Sequence, residues 1–470
     1  MNRVTDIFLT TMVLGVLGPN GIGPAAELRA AQHDLAMHVP AEQRPQTRYL
    51  SFYSLPPSQR AEAAAIVSFV INSVSRAEAI VRPVEVAGTS ASLWRILLDD
   101  YRLPANVWES AASRDPYWHQ QTQVVPPPID ADKNVTLQTV FTDGGWLDLA
   151  AAADLRAATG SGGALLRGDY FLYLATTTLD GGVYYELAGI SATEREFFAA
   201  IGIDRDDIDR LRADEGANLI RSQVTFKTRR IVRRQGPLGG AWHTYDTARA
   251  TPERDPIRNP FAFEYDAGEH VVAKRNGLQL FALFDAEGRR QATVPDVIAK
   301  DASDPHGSGI VVPMISCVRC HVEDGLRPFA NDQRRLLESG VELFTEKPSD
   351  AQRLAAFYLS DLGKKLRRDR EDYATAVAQA TGGLTTVATS AALARLVREY
   401  ADDLVDLERA AREVGVAPEV LRSALRPTRD STLAALAVGI AVQRKQWEAV
   451  FGEAALLVQA AVETPTLSQE

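Results

Sequence analysis

Hydrophobic positions change their period along the chain. From residue 26 to about 80 the pattern reads as helix, and Ile66, Val67, Val70, Ile71 and Val74 share one face within Ala61–Val74. Short strands are expected at Val81–Val86 and Leu93–Leu98, and a helix from Pro104 to Trp118 with an Asp115-Pro116 turn. Val124-Val125-Pro126-Pro127-Pro128 is a stiff connector and the clearest domain boundary.

Strand signals dominate from about 129 to 316. Asp169–Thr178 and Val183–Leu187 carry five aromatic residues around Gly181-Gly182, which reads as a hairpin. Ser222–Arg233 alternates Val224, Phe226 and Thr228 with polar residues. His270–Lys274 meets Asn276-Gly277 before Leu278–Phe284, the strongest short hairpin signal. Asp285-Ala286-Glu287-Gly288 predicts a second turn and Gln291–Val297 a further strand, so an antiparallel meander is expected.

From about 333 to 462 the chain is alanine-rich with helical periodicity. Leu393, Leu396, Val397, Tyr400, Leu404, Leu407 and Ala411 form one apolar stripe. Gly415 is placed as a C-cap, Pro418 as the start of another helix, and Val438–Leu457 repeats the stripe. The fold class is therefore α+β: a mixed α/β region (26–125), a strand-rich region (129–332) and a bundle-like helical region (333–462).

Composition narrows the classes. There are 51 Lys+Arg against 61 Asp+Glu, a net charge of −10, which argues against a nucleic-acid binder. No apolar run reaches the roughly 18 residues of a membrane span. Ile7–Gly18 has the length of a signal-peptide core, and Gly23 and Ala25 supply small residues, so residues 1–25 are expected to be a cleaved leader. The competing reading is a buried N-terminal helix.

Only two cysteines occur, and they fall in Cys317-Val318-Arg319-Cys320-His321. C-x-x-C-H is the attachment signature of haem c. Each thiol adds across one vinyl group, and the short spacing brings His321 to the iron as proximal ligand. Three other readings compete: a zinc site, which lacks further cysteine ligands; a thioredoxin-like pair, which wants a βαβ context; and a plain disulfide, which ignores His321. Arg229-Arg230 and Arg233-Arg234 form a basic patch that could pair with propionates, against the plainer reading of a solvated strand face. Trp242, Tyr245, Phe261, Phe263 and Tyr265 read as core or a haem wall. Gly160-Ser161-Gly162-Gly163 reads as a loop rather than a phosphate cradle.

Through Cys317, Cys320 and His321 the sequence resembles bacterial c-type cytochromes. More broadly it is similar to a group of large secreted bacterial proteins with one C-x-x-C-H, over about Arg48 to Phe451. That resemblance implies one covalent haem c and export to the periplasm. The expected function is one-electron transfer, with a redox partner protein or a small-molecule donor or acceptor. The alternative is a haem enzyme or small-ligand binder with an open or weakly held distal position.

The chain departs from small cytochromes in one respect: no methionine or histidine follows His321. His306, His270, His243 and Met314 are the candidates for a distal ligand. A five-coordinate iron, or one held by tyrosine, lysine or the N-terminal amine, remains open.

Overall fold

Thr47–Ser51 (β1) is buried at every position, and this continuous burial sets the first of two compact units. The computed structural model describes residues 23–117, 148–204, 215–222, 225, 227–249, 251–260, 263–294, 298–301, 304, 309–339 and 348–463. The predicted leader core, the proline connector and His306 lie outside the described residues. The first unit comprises residues up to 67, 82–173 and 395 onward; the second comprises 68–81 and 174–394.

The first unit holds a four-stranded mixed sheet in the order β2-β3-β1-β4, with β2 at Val84–Glu85, β3 at Leu93–Leu97 and β4 at Leu165–Arg167. β1 runs antiparallel to β3 and parallel to β4. The sequence pattern assigned β1 to a long helix. A strand covered on both faces has no polar alternation to betray it, and here it separates the helices Pro24–His38 and Pro57–Val74.

The C-terminal helices of this unit close on one buried ionic cluster. Glu413 accepts hydrogen bonds from Arg167 Nη1 (2.8 Å), both terminal nitrogens of Arg444 (2.7 and 2.8 Å) and Trp447 Nε1 (2.8 Å). Arg167 completes a fork onto Asp169. The apolar stripe expected from Leu393 to Ala411 breaks in two. Helix Thr386–Ala401 ends, Leu404 is exposed, and Asp406 caps a new helix, Leu407–Val414. Gly415, at φ 85°, ends that helix, and Pro418 opens the next, as the sequence pattern indicated.

The second unit is built on a five-stranded antiparallel meander, β5-β6-β7-β8-β9. Its strands are Glu215–Leu219, Arg229–Gly236, Gly239–Asp246, Ala267–Ala273 and Gln279–Asp285. The expected Asn276-Gly277 hairpin joins β8 to β9. Gly277 takes φ 83° and donates to Lys274 O, while Asn276 Oδ1 receives Leu278 N. β6 begins at Arg229, and Val224 and Phe226 lie outside the described residues.

Two strand readings are corrected. Gly168–Thr176 and Tyr184–Ala188 are helices, not a hairpin. Tyr170, Phe171, Leu174 and Ala175 are buried at helical spacing, so aromatic content outvoted a period that was present. Gln291–Val294 forms no sheet strand, only an isolated bridge from Val294 to Val311. With those corrections the α+β architecture stands: α/β at the N-terminus, antiparallel strands in the middle, helices at the C-terminus. No helix among the described residues is long and apolar enough to cross a membrane.

Burial alone would push the Glu413 carboxyl up, but the charges and hydrogen bonds of Arg167 and Arg444 outweigh it and hold it well below 4.5. A depressed carboxyl stabilises the fold above its unfolded value, and that contribution is lost as pH falls below about 4.5. Glu413→Gln leaves two buried guanidinium groups undercompensated and should destabilise by about 3–5 kcal/mol at neutral pH. Denaturant titration against pH checks this: the gap between wild type and variant should narrow in acid.

Candidate active site at the Cys317–His321 turn

Pro313 and Met314 lead into the short helix Ile315–Cys320, with Met314 at φ 69°. Ser316 Oγ accepts Val312 N at 2.9 Å and fixes the entry. Ser390 Oγ donates to Val318 O at 3.0 Å and anchors the middle. Arg319 reaches back to the buried Asp301 at 2.6 Å. These bonds orient Cys317, Cys320 and His321 toward a single cavity, which all three line.

That cavity holds about 200 Å³ and opens to solvent, less than the roughly 300–1,000 Å³ of common ligand pockets. Its walls are largely apolar, including Leu219, Ile231, Trp242, Val271 and Leu326, and exposed Arg327 and Lys300 also line it. β6, β7 and β8 supply one side through alternate residues: Arg229 and Ile231, then Trp242, Thr244 and Asp246, then Glu269 and Val271.

His321 is held by a tight local bond. Its Nδ1 lies 2.7 Å from Gly325 O. A carbonyl only accepts, so Nδ1 carries the proton, and in the neutral ring Nε2 keeps its lone pair. A backbone acceptor behind a ligating imidazole is the arrangement that fixes its tautomer and orientation. Nε2 itself sits 3.5 Å from Glu269 Oε1, and the two side chains keep 15% and 20% exposure. Phe281 packs edge-on to the ring at 6.0 Å between centroids.

Both thiols are free. Cys317 Sγ is 3.7 Å from Glu269 Oε1, and Cys320 Sγ is 3.9 Å from Asp301 Oδ1. Burial pushes the Cys317 thiol well up, reinforced by Glu269, and burial with Asp301 takes Cys320 to about 11. Neither is the lowered thiolate that disulfide exchange or nucleophilic catalysis requires. Burial would also raise Glu269, but when His321 carries both ring protons its hydrogen bond and charge hold the carboxyl at about 2. Among the described residues, no group of three His, Cys, Asp or Glu side chains is arranged to hold a metal ion.

The donor set has the residue types that thioether attachment and axial ligation of a haem c would use. Two sulfurs and an imidazole with an available Nε2 line one apolar cavity. Cys317, Cys320 and His321 would hold the group, and the porphyrin supplies the equatorial nitrogens that the protein lacks.

The other histidines lie elsewhere. His243 and His270 are register partners on β7 and β8 and point to the opposite face of the sheet. Their Nδ1 atoms meet at 2.8 Å, and His270 Nε2 lies 3.1 Å from Glu194. Both are fully buried beneath Phe197 and Phe198, and neither lines the cavity. Met314 is fully buried and does not line it either.

The basic patch is not a solvated face. Arg229, Arg230 and Arg233 are buried, with Arg229 forked onto Asp246 at 2.6 and 2.7 Å and Arg233 onto Asp369. Trp242 is a cavity wall, Tyr245 packs on Tyr265 away from it, and Phe261 lies outside the described residues. Glu269 was missed in the sequence. It is one residue out of phase with His270, on the face that Trp242 and Thr244 share, a placement that only the β7–β8 register reveals.

No known protein family matches the sequence, no curated protein is similar to it, and no solved structure matches the fold.

Gly325 is the hinge of this arrangement. It takes φ 80°, and a Cβ there would lie 2.5 Å from Tyr373 and 2.7 Å from Gln279. Gly325→Ala should therefore lose at least about 1–2 kcal/mol from backbone strain alone. It should also release His321 Nδ1 from its carbonyl, visible as a changed imidazole tautomer signal by nitrogen NMR.

Proposed function

We propose that this chain carries one covalent haem c on Cys317 and Cys320, with His321 as proximal ligand, and acts as an exported haem protein. The observation that supports the reading is the convergence of two thiols and a backbone-oriented imidazole on one mainly apolar cavity. Bound there, the group supplies one-electron chemistry at iron and an axial position for a small ligand. Export follows from the reading, because bacterial haem attachment takes place outside the cytoplasm.

The protein's own residues divide the remaining work. Gly325 O fixes the His321 ring, Phe281 limits its rotation, and the apolar walls exclude water from the face of the macrocycle. Arg221, Lys300 and Arg327 are exposed cations of the wall suited to propionates.

Between the two forms of this function, a specific observation favours the small-ligand binder or haem enzyme over simple electron transfer. A six-coordinate electron carrier wants a second strong ligand. His243, His270 and Met314 do not line the cavity, and among the described residues no His or Met apart from His321 does. Among the described residues no strong second ligand lines the cavity, and on that ground the sixth position is read as open or weakly held, with a small molecule as the partner.

Denaturing electrophoresis with haem staining, after expression with a periplasmic attachment system, tests the reading. Wild type should stain. Cys317→Ala combined with Cys320→Ala should not, and His321→Ala should retain little correctly matured haem. Unstained wild type would end the proposal. Carbon monoxide binding by the reduced protein separates the two forms: an open or weakly held iron binds it readily, and a strongly six-coordinate iron does not.

A further inference from the structure

We propose that a second cavity in the same unit binds a small aromatic carboxylate. The site is independent of the haem reading and needs no metal.

This cavity holds about 620 Å³, within the roughly 300–1,000 Å³ of common ligand pockets. One wall is helix Leu362–Thr381, which presents Lys365, Arg368, Asp372, Ala376 and Gln379 at spacings of three and four. The facing wall is made by the ends of two hairpins, Leu238–Gly240 and Ala273–Gly277. Gly277 closes one end against the helix, since a Cβ there would lie 2.8 Å from the Ala376 Cβ. Trp242 and Leu326 border this cavity and the thiol cavity alike. Asp369 holds Trp242 in place, accepting its Nε1–H at 2.8 Å and a fork from Arg233 at 2.8 and 3.1 Å.

Two observations point to an occupant. The first is at the inner end. Gln279 is 4% exposed, lines the cavity, and its Oε1 has no hydrogen-bond partner among the described residues. A buried amide left unpaired is costly. Rotation of the terminal amide exchanges its oxygen and its nitrogen, so it can meet a donor or an acceptor. A hydroxyl on the ligand satisfies it in either orientation.

The second is the charge at the outer end. Arg233 and Asp369 cancel within the wall, which leaves Arg275, Lys365 and Arg368 against Asp372 alone. Lys274 is not counted, because its Nζ turns to Asn72 O and Ser73 O at 2.6 and 2.7 Å. Arg368 is 82% exposed and meets Asp372 only at 3.9 Å, while Arg275 and Lys365 pair with Glu78 and Glu215 outside the wall. Exposed pairs of this kind contribute little and exchange partners readily. An arginine fork matches a carboxylate. Between the two ends Trp242, Leu326 and Ala376 supply apolar surface, and a slot between a helix and a sheet suits a flat ring.

Isothermal titration calorimetry on the full chain tests this with para-hydroxyphenylpropionate, phenylpropionate, the neutral amide of the first, and inorganic phosphate. The hydroxylated carboxylate should bind saturably at one site, more weakly as salt rises. Phenylpropionate, lacking the inner hydroxyl, should bind about tenfold more weakly. The amide and phosphate should show no measurable binding. Arg368→Glu should weaken the carboxylate about tenfold or more, Gln279→Leu should erase the difference between the two carboxylates, and Thr375→Trp should block both. Thermal unfolding reports whether each variant is folded. Arg368 and Thr375 are exposed, so their variants keep the test decisive should Gln279→Leu fold poorly. The proposal is overturned if neither carboxylate binds at millimolar concentration, if phosphate binds as well, or if Thr375→Trp changes nothing. Haem staining plays no part in the titration, so its result and that of the haem test are read separately.

Discussion

A strand can show each side chain to only one of its two faces, and the thiol cavity depends on that restriction at β7 and β8. Trp242, Thr244 and Glu269 fall on the cavity side; His243, Tyr245 and His270 fall on the other. A slip of one residue in either strand would exchange the sets, putting two imidazoles beside the thiols and burying Glu269 among phenylalanines. The full register from Ala241–Val272 to Asp246–Ala267 and the turn at Asn276-Gly277 forbid that slip. What faces His321 is therefore decided by hydrogen bonds well away from it.

The two units treat buried charge in contrasting ways. Around Glu413 every strong donor is met: Arg167, Arg444 and Trp447 converge on one carboxylate, and no cavity residue is among them. That is a closed cluster, suited to fixing how helices meet. Around Glu269 the contacts are long, 3.5 and 3.7 Å, and the carboxylate borders open space. Its partners are the groups that a haem would consume. A charge held loosely beside a cavity can change partner, whereas a charge held by two guanidinium groups cannot without a penalty of several kcal/mol.

Legibility in the sequence followed how local each signal was. The Asn276-Gly277 hairpin, the Gly415 cap and the Pro418 start are written in one or two residues whose backbone preferences leave few options, and all were readable. β1 was not, because burial on both faces erased the alternation that marks a strand. The aromatic segment at Tyr170 misled because composition and period disagreed, and period was right. Arg229 was weighed as a surface charge because its partner Asp246 is close only across a strand pair. Glu269 illustrates the same limit: its role depends on parity against β7, which no single strand records.

The opposed placement of histidines and carboxylate also bears on what kind of chemistry the cavity favours. An imidazole on each side of an iron would fill both axial positions with strong donors and leave electron exchange through the edge as the remaining task. The chain contains two buried histidines within one residue of that position, His243 and His270, yet its pleat turns both away and bonds them to each other. Side-chain type was thus not the limiting resource. The arrangement sets the Glu269 carboxylate 3.5 Å from His321 on the cavity face and keeps the paired imidazoles on the far side of the sheet.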